Sequence, residues 1–324
     1  MSIAVAVAAT FIVVETKLMT TEARVGKHDA DAIPKAAGIP ATAPSDVTKL
    51  AAEAPAAYAS PYAIVLATPR DELCADFAEP PRADPRAESD VAFEGWYAAD
   101  VRKSFGAWGP RPRTYSAPSS IATRDVTWRR ERVIAAAEKL IGYGYQHHHL
   151  PDWDPPVDWP WKTTCAAKNG PGLDCSNLTT FVYDYALGIR FPSDIDEQAS
   201  LTRVTSFGGE GEIEVERIEH GDSYRTFVEA LEPADLVFVK NKKDEVSHVV
   251  IWLGTTGRSK DGTPLVLDSH GDDTRDVNGA LIPCGVRIRP FRENGWYWRS
   301  ASHALRILRA PTAQGPAQNT PQPK

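Results

Sequence analysis

The sequence predicts an α+β fold, and three observations carry that expectation. Helical periodicity is concentrated between residues 128 and 187. Short apolar runs rich in β-branched residues dominate from about residue 235 onward. Turn residues separate those runs. Helices first and strands later is the order of an α+β domain, not of alternating βα units.

The first helix is expected over 129–141, where Val133, Ala137, Leu140 and Ile141 fall on one face, as a 3.6-residue period requires. Thr127 is its candidate N-cap, and Gly142 and Gly144 close the run. A second helix is expected from about Asp174 to Leu187. Leu178, Phe181, Val182 and Tyr185 form its buried stripe, and Gly188 is its stop. Strands are expected at 235–240, 246–253, 265–269, 286–291 and 304–308, in an antiparallel sheet because turns rather than helices join them.

The flanks read differently. Residues 1–27 contain a short apolar run at 3–14, too short to span a bilayer. No Lys or Arg precedes it and no small-x-small site follows. It therefore reads as a buried strand of a small N-terminal unit rather than a cleaved signal. The compartment stays open between cell envelope and cytoplasm. Residues 28–90 are rich in Pro and Ala, which argues for a linker or loosely packed arm. Residues 91–127 bring Phe93, Trp96, Tyr97, Phe105, Trp108 and Tyr115 and are expected to pack on the domain at 128–309. The tail at 310–324 is rich in Pro and Gln and reads as disordered.

Composition limits the partners. With 36 basic and 43 acidic residues the net charge is −7. Such a chain gains no general attraction to nucleic acid or anionic lipid. No other stretch is long and apolar enough to cross a membrane. The cysteines, Cys74, Cys165, Cys175 and Cys284, form no CxxC pair, and a reduced set or one bridge plus free thiols fits equally.

The residues with chemical potential begin at Asp174-Cys175-Ser176-Asn177, which opens the second helix. A thiol in the first turn sits at the positive end of the helix dipole, where the attacking thiolate form is favoured. A buried packing cysteine is the ordinary alternative. The run 245–254 then embeds His248 in a strand that is apolar on both faces. A buried imidazole needs a partner. That partner is a backbone carbonyl in a plain core, or a thiol in a nucleophile–base pair. A third polar group would orient the ring. Asp268 and His270 share one face of the next strand, so either fits. His270 is preferred and Asp268 is the alternative.

Asp174-Cys175-Ser176 before an apolar helix, then 235–238 (Asp-Leu-Val-Phe), then 247–254 (Ser-His-Val-Val-Ile-Trp-Leu-Gly), resemble in content and order the motifs of the NlpC/P60 family. The resemblance covers about residues 128–308. It implies a papain-like NlpC/P60 core, with helices packed on an antiparallel sheet. It also implies a cysteine peptidase or amidohydrolase that cleaves amide bonds in cell-wall (peptidoglycan) peptides without a cofactor. The nucleophile falls on Cys175, the base on His248, and the third residue near Asp268 to His270. The family's site-lining tyrosine matches Tyr145, and Asp174 and Ser176 are implied to meet a substrate amine. Asn177 and Ala234 stand where the family usually has Gly, and the link from Tyr145 to Cys175 is longer than usual. Transfer of the acyl group to a non-water acceptor, or an inactive peptide- or glycan-binding module, are the competing readings.

Within that long link, His147, His148 and His149 lie near Asp152 and Asp154. Adjacent residues point in different directions and neither CxxC nor HExxH completes a set. No metal site is expected, and the histidines read as packing or capping groups. Trp153, Trp159 and Trp161 form either a substrate wall, with Trp153 foremost, or a patch that packs the loop down.

Overall fold

The computed structural model describes residues 58–77, 89–151, 172–207, 211–270 and 274–310. The expectations for residues 1–27, for most of 28–90, for Trp153 and its neighbours, and for the tail from 311 lie outside these. The core is a six-stranded sheet built from β4 (Glu216–Glu219), β5 (Leu236–Lys240), β6 (Val246–Trp252), β8 (Leu265–His270), β9 (Gly285–Pro290) and β10 (Ala301–Arg306). Its order is β4-β10-β5-β6-β8-β9, and every neighbouring pair is antiparallel. Two helices, α3 (Val126–Glu138) and α4 (Cys175–Leu187), pack together, and α4 lies on β6 and β8.

The sheet is covered on both faces, which explains why its central strands are apolar throughout. Val249 and Ile251 of β6 enter the helix-side cluster with Leu178 and Val182. Val250 and Trp252 enter a second cluster. That cluster includes Phe227 from α6 (Tyr224–Ala230) and Tyr297 from α7 (Trp296–Arg299).

Helix α4 follows the sequence closely. Asp174 is its N-cap, and Gly188 closes it in the left-handed region at φ 64°. Helix α3 does not. Its N-cap is Asp125, whose Oδ1 accepts the Trp128 N–H at 2.8 Å. The earlier start displaces Thr127 from the cap, and Ile141 falls beyond the helix end and is exposed.

The segment expected to be a loose arm is partly core. Residues 63–64 form β1, paired antiparallel with β7 (Gly257–Arg258). Leu73 of α1 (Arg70–Cys74) is fully buried in the main cluster, beside Tyr62 and Ile64. Two buried charges on α3 hold the segment down. Glu131 accepts the N–H groups of Ala67 and Thr68 at 2.6 and 2.9 Å. Arg132 donates to the Leu73 carbonyl and to Asp76. A charged helix face that looks solvated in sequence is here a docking surface for backbone. Tyr115 joins the main core, and Trp96 centres a small cluster beside α2 (Ala99–Phe105).

Candidate active site

Cys175 is the first residue of α4, and the chain ahead of it is tied down at several points. Leu173 N–H donates to the Gly144 carbonyl at 3.1 Å, and its own carbonyl accepts from Gln146 N–H and from the Ser269 hydroxyl. Asp174 Oδ1 accepts the Asn177 N–H at 2.9 Å. Its Oδ2 accepts the His148 N–H at 2.8 Å. The nucleophile candidate is thus fixed by an N-cap and by cross-links to two other segments.

His248 comes from β6, where the pairing with β5 slips register between Val239 and Lys240. The ladder between β6 and β8 pairs Ile251 with Leu267 and Trp252 with Val266 and goes no further toward His248. Continued in register it would set His270 directly opposite His248. Beyond that ladder a diagonal neighbour makes the contact. His248 Nε2 lies 2.8 Å from Asp268 Oδ2, and Cys175 is near enough for its charge to bear on the imidazole. With Nε2 on the carboxylate, Nδ1 is the nitrogen left for sulfur.

Asp268 is held on every side. Arg289 Nη1 reaches its Oδ1 at 3.2 Å, and the Tyr297 hydroxyl donates to Oδ2 at 2.7 Å. Asp268 and Arg289 are both fully buried. Burial works against the carboxylate, but the Arg289 guanidinium and then His248 outweigh it and hold Asp268 at about 2. Burial likewise works against the imidazolium. The negative charge of Cys175 and the bond to Asp268 reverse that and push His248 up to about 10. Imidazolium, carboxylate and guanidinium thus stand in a line of alternating charge.

The preference for His270 over Asp268 is therefore reversed in this geometry. His270 stands edge-on to His248 at 4.8 Å between ring centroids and bonds no nitrogen of it. The carboxylate prevails because Arg289 and Tyr297 fix it where the two strands cease to pair. Tyr145 is half-buried near the site. Burial first, then the charges of Cys175, Asp174 and Asp268, push its phenol well up, so it stays a neutral donor. Asp174 is buried, with each carboxylate oxygen engaged by backbone N–H groups, and Ser176 is buried beside it. The carboxylate thus acts as a helix cap.

His149 is buried, and that burial alone holds its imidazole down at about 3. His148 takes a left-handed conformation at φ 54° and is 3.1 Å from an Arg102 nitrogen. Burial lowers its imidazole against the pull of Asp174. Both act as packing and capping groups. Among the described residues no cluster of His, Cys, Asp or Glu is placed to hold a metal. Cys74 and Cys175 are free thiols, and Cys284 is disulfide-bonded.

Sequence reasoning missed Arg289, Tyr297 and Trp296. Arg289 had a signal: it occupies an inward position in the apolar run 285–291, and a buried arginine requires a carboxylate. Tyr297 and Trp296, in a Trp-Tyr-Trp run after Gly295, had none that pointed to Asp268 or His248.

Helices packed on an antiparallel sheet, with a thiol at a helix start facing a strand histidine, define a papain-like α+β core. The NlpC/P60 family model matches residues 160–301. Over that stretch the chain is similar to NlpC/P60 domains. Among solved structures it is similar to NlpC1 from Trichomonas vaginalis, at 14% identity and a TM-score of 0.29. That match covers 55% of this chain and 44% of the other, so the chain spans under half of that relative's length. No curated protein matches it.

Proposed function

We propose that the protein is a cysteine-nucleophile amidohydrolase or endopeptidase acting on peptides, with cell-wall peptides as the substrate class the family favours. The observation that carries the reading is the buried His248–Asp268 hydrogen bond beside Cys175, the first residue of a helix. Cys175 attacks the amide carbonyl as thiolate. The backbone N–H of Cys175, at the start of α4, would receive the oxyanion. His248, held in tautomer and orientation by Asp268, gives its proton to the leaving amine and then draws one from the water that cleaves the thioester. Asp268 stays ionised throughout because Arg289 and Tyr297 already satisfy it. Tyr145, near enough for the charge of Cys175 to bear on its phenol, lines the site as the family's tyrosine does.

The test is incubation with a muropeptide panel and product identification by mass spectrometry, in parallel with Cys175→Ser. Cleavage at one amide type, lost in the variant by a factor on the order of a thousand or more, is the expected result. Equal cleavage by both proteins sinks the assignment. A panel left intact while simple acyl amides are cleaved moves the substrate away from the wall and leaves the thiol chemistry standing.

A further inference from the structure

Among the described residues Trp296 is the large aromatic side chain that the fold leaves open beside the dyad. It is 42% exposed. Its ring centroid lies 5.6 Å from that of His248 and 5.1 Å from that of His270. Its neighbour Tyr297 is buried and bonded to Asp268, so α7 anchors the triad with one residue and presents the next to solvent. The Trp296 indole N–H donates to none of the described residues. An indole kept in water needs a reason, since tucking its large apolar face away would be favourable.

The position of the base supplies that reason. In amide cleavage the histidine hands its proton to the departing amine, so the amine must lie within hydrogen-bond reach of His248. Whatever lines the open side of that ring touches the amine half of the substrate. Trp296 and His270 are the rings there. We propose that Trp296, backed by the His270 ring, is the subsite for the leaving-amine side of the scissile bond, and that it selects an amino-acid or peptide amine over a small amine. The inference rests on the hydrolase reading above and deepens it. The indole face offers area to an aliphatic side chain next to the departing nitrogen, and its N–H can donate to the carbonyl that follows. Ammonia and methylamine present neither group. The enzyme would then open internal peptide bonds in preference to primary amides.

The same subsite receives an amine when the reaction runs backward, which permits a test without the natural substrate. With p-nitrophenyl acetate, the Cys175 thiolate attacks the ester carbonyl, expels p-nitrophenolate and leaves S-acetyl-Cys175. Water then releases acetate. Alternatively an amine attacks the thioester, its proton passes to His248, and the N-acetyl amide leaves as the thiolate is restored. The ratio of N-acetyl amide to acetate is measured for L-leucinamide and for methylamine at equal free-base concentration. Taking leucinamide over methylamine within one protein cancels any change in acylation. Wild type should prefer leucinamide. Trp296→Ala should cut that preference about tenfold, the scale of one lost apolar side-chain contact, and Trp296→Phe should restore part of it. A preference unchanged in Trp296→Ala places the amine subsite elsewhere. Absence of a wild-type p-nitrophenol burst that Cys175→Ala removes overturns the hydrolase reading, and the subsite with it.

Discussion

At the scale of single residues, the site depends on which group faces the second nitrogen of His248. Asp268→Asn keeps the shape and removes the charge. Activity should fall by up to about 100-fold, as expected for a catalytic group left mis-oriented, whereas His270→Asn should cost less. Comparing kcat/KM of the two variants decides between them. The sign of the pH dependence follows from His248. Its imidazolium persists to about 10, so wild-type hydrolysis should hold through neutral pH and fall as pH rises through about 10, where the acid for the leaving amine is lost. Without the Asp268 charge the limb should move to lower pH. A limb unmoved in Asp268→Asn would mean that the carboxylate does not set it. Cys175 and Cys74 are both free thiols, but only Cys175 has an imidazole against it. Iodoacetamide near pH 6 should label Cys175 first, and His248→Ala should slow that labelling.

At the scale of elements, two backbone positions with positive φ have different consequences. Ala234 sits in the left-handed region at φ 69°, fully buried, with its N–H on the Trp252 carbonyl at 2.8 Å. A side chain there costs on the order of 1 kcal/mol. Ala234→Gly should therefore raise the thermal midpoint by a few degrees, offset in part by unfolded-chain entropy. A midpoint that falls would mean the methyl packs better than the strain costs. Gly285 is the reverse case. Its φ is 93°, and a Cβ there would lie 2.0 Å from the Tyr143 carbonyl oxygen. That approach brings β9 against the 143–146 segment, which in turn pairs with the residues before Cys175. The nucleophile's position thus depends on a glycine more than a hundred residues away in sequence.

At the scale of the whole molecule, the folded unit begins earlier than a catalytic domain at 128–309. Leu73→Ala should cost about 2–5 kcal/mol in chemical denaturation, because Leu73 is fully buried against α3. A cost near zero would return residues 58–77 to the status of an arm. Acid stability carries a further sign. Asp268 is held at about 2 in the fold against about 3.9 in an unfolded chain. Its ionised form therefore stabilises the fold above about pH 4, and that contribution is lost as pH falls toward 2. The raised His248 acts oppositely: its contribution is complete below about 6.5 and is lost as pH rises through about 10. Stability profiles of wild type and Asp268→Asn should diverge most above pH 4 and converge in acid.

The sequence by itself determined the fold class, the helix that presents Cys175, its cap at Asp174 and stop at Gly188, and the strand that carries His248. These are local or periodic signals: a capping side chain, a glycine stop, an apolar stripe, a β-branched run. It also narrowed the third residue to Asp268 or His270, because alternation places both on one face. Only the tertiary structure shows that Asp268 is the one bonded to His248. The choice turns on where β6 and β8 stop pairing and on Arg289 arriving from β9 and Tyr297 from α7, and no periodicity encodes either. The docking of residues 58–77 was hidden for the same reason. Proline-rich sequence forbids long regular elements but does not forbid burial, and the charges that hold the segment lie on α3, more than fifty residues downstream.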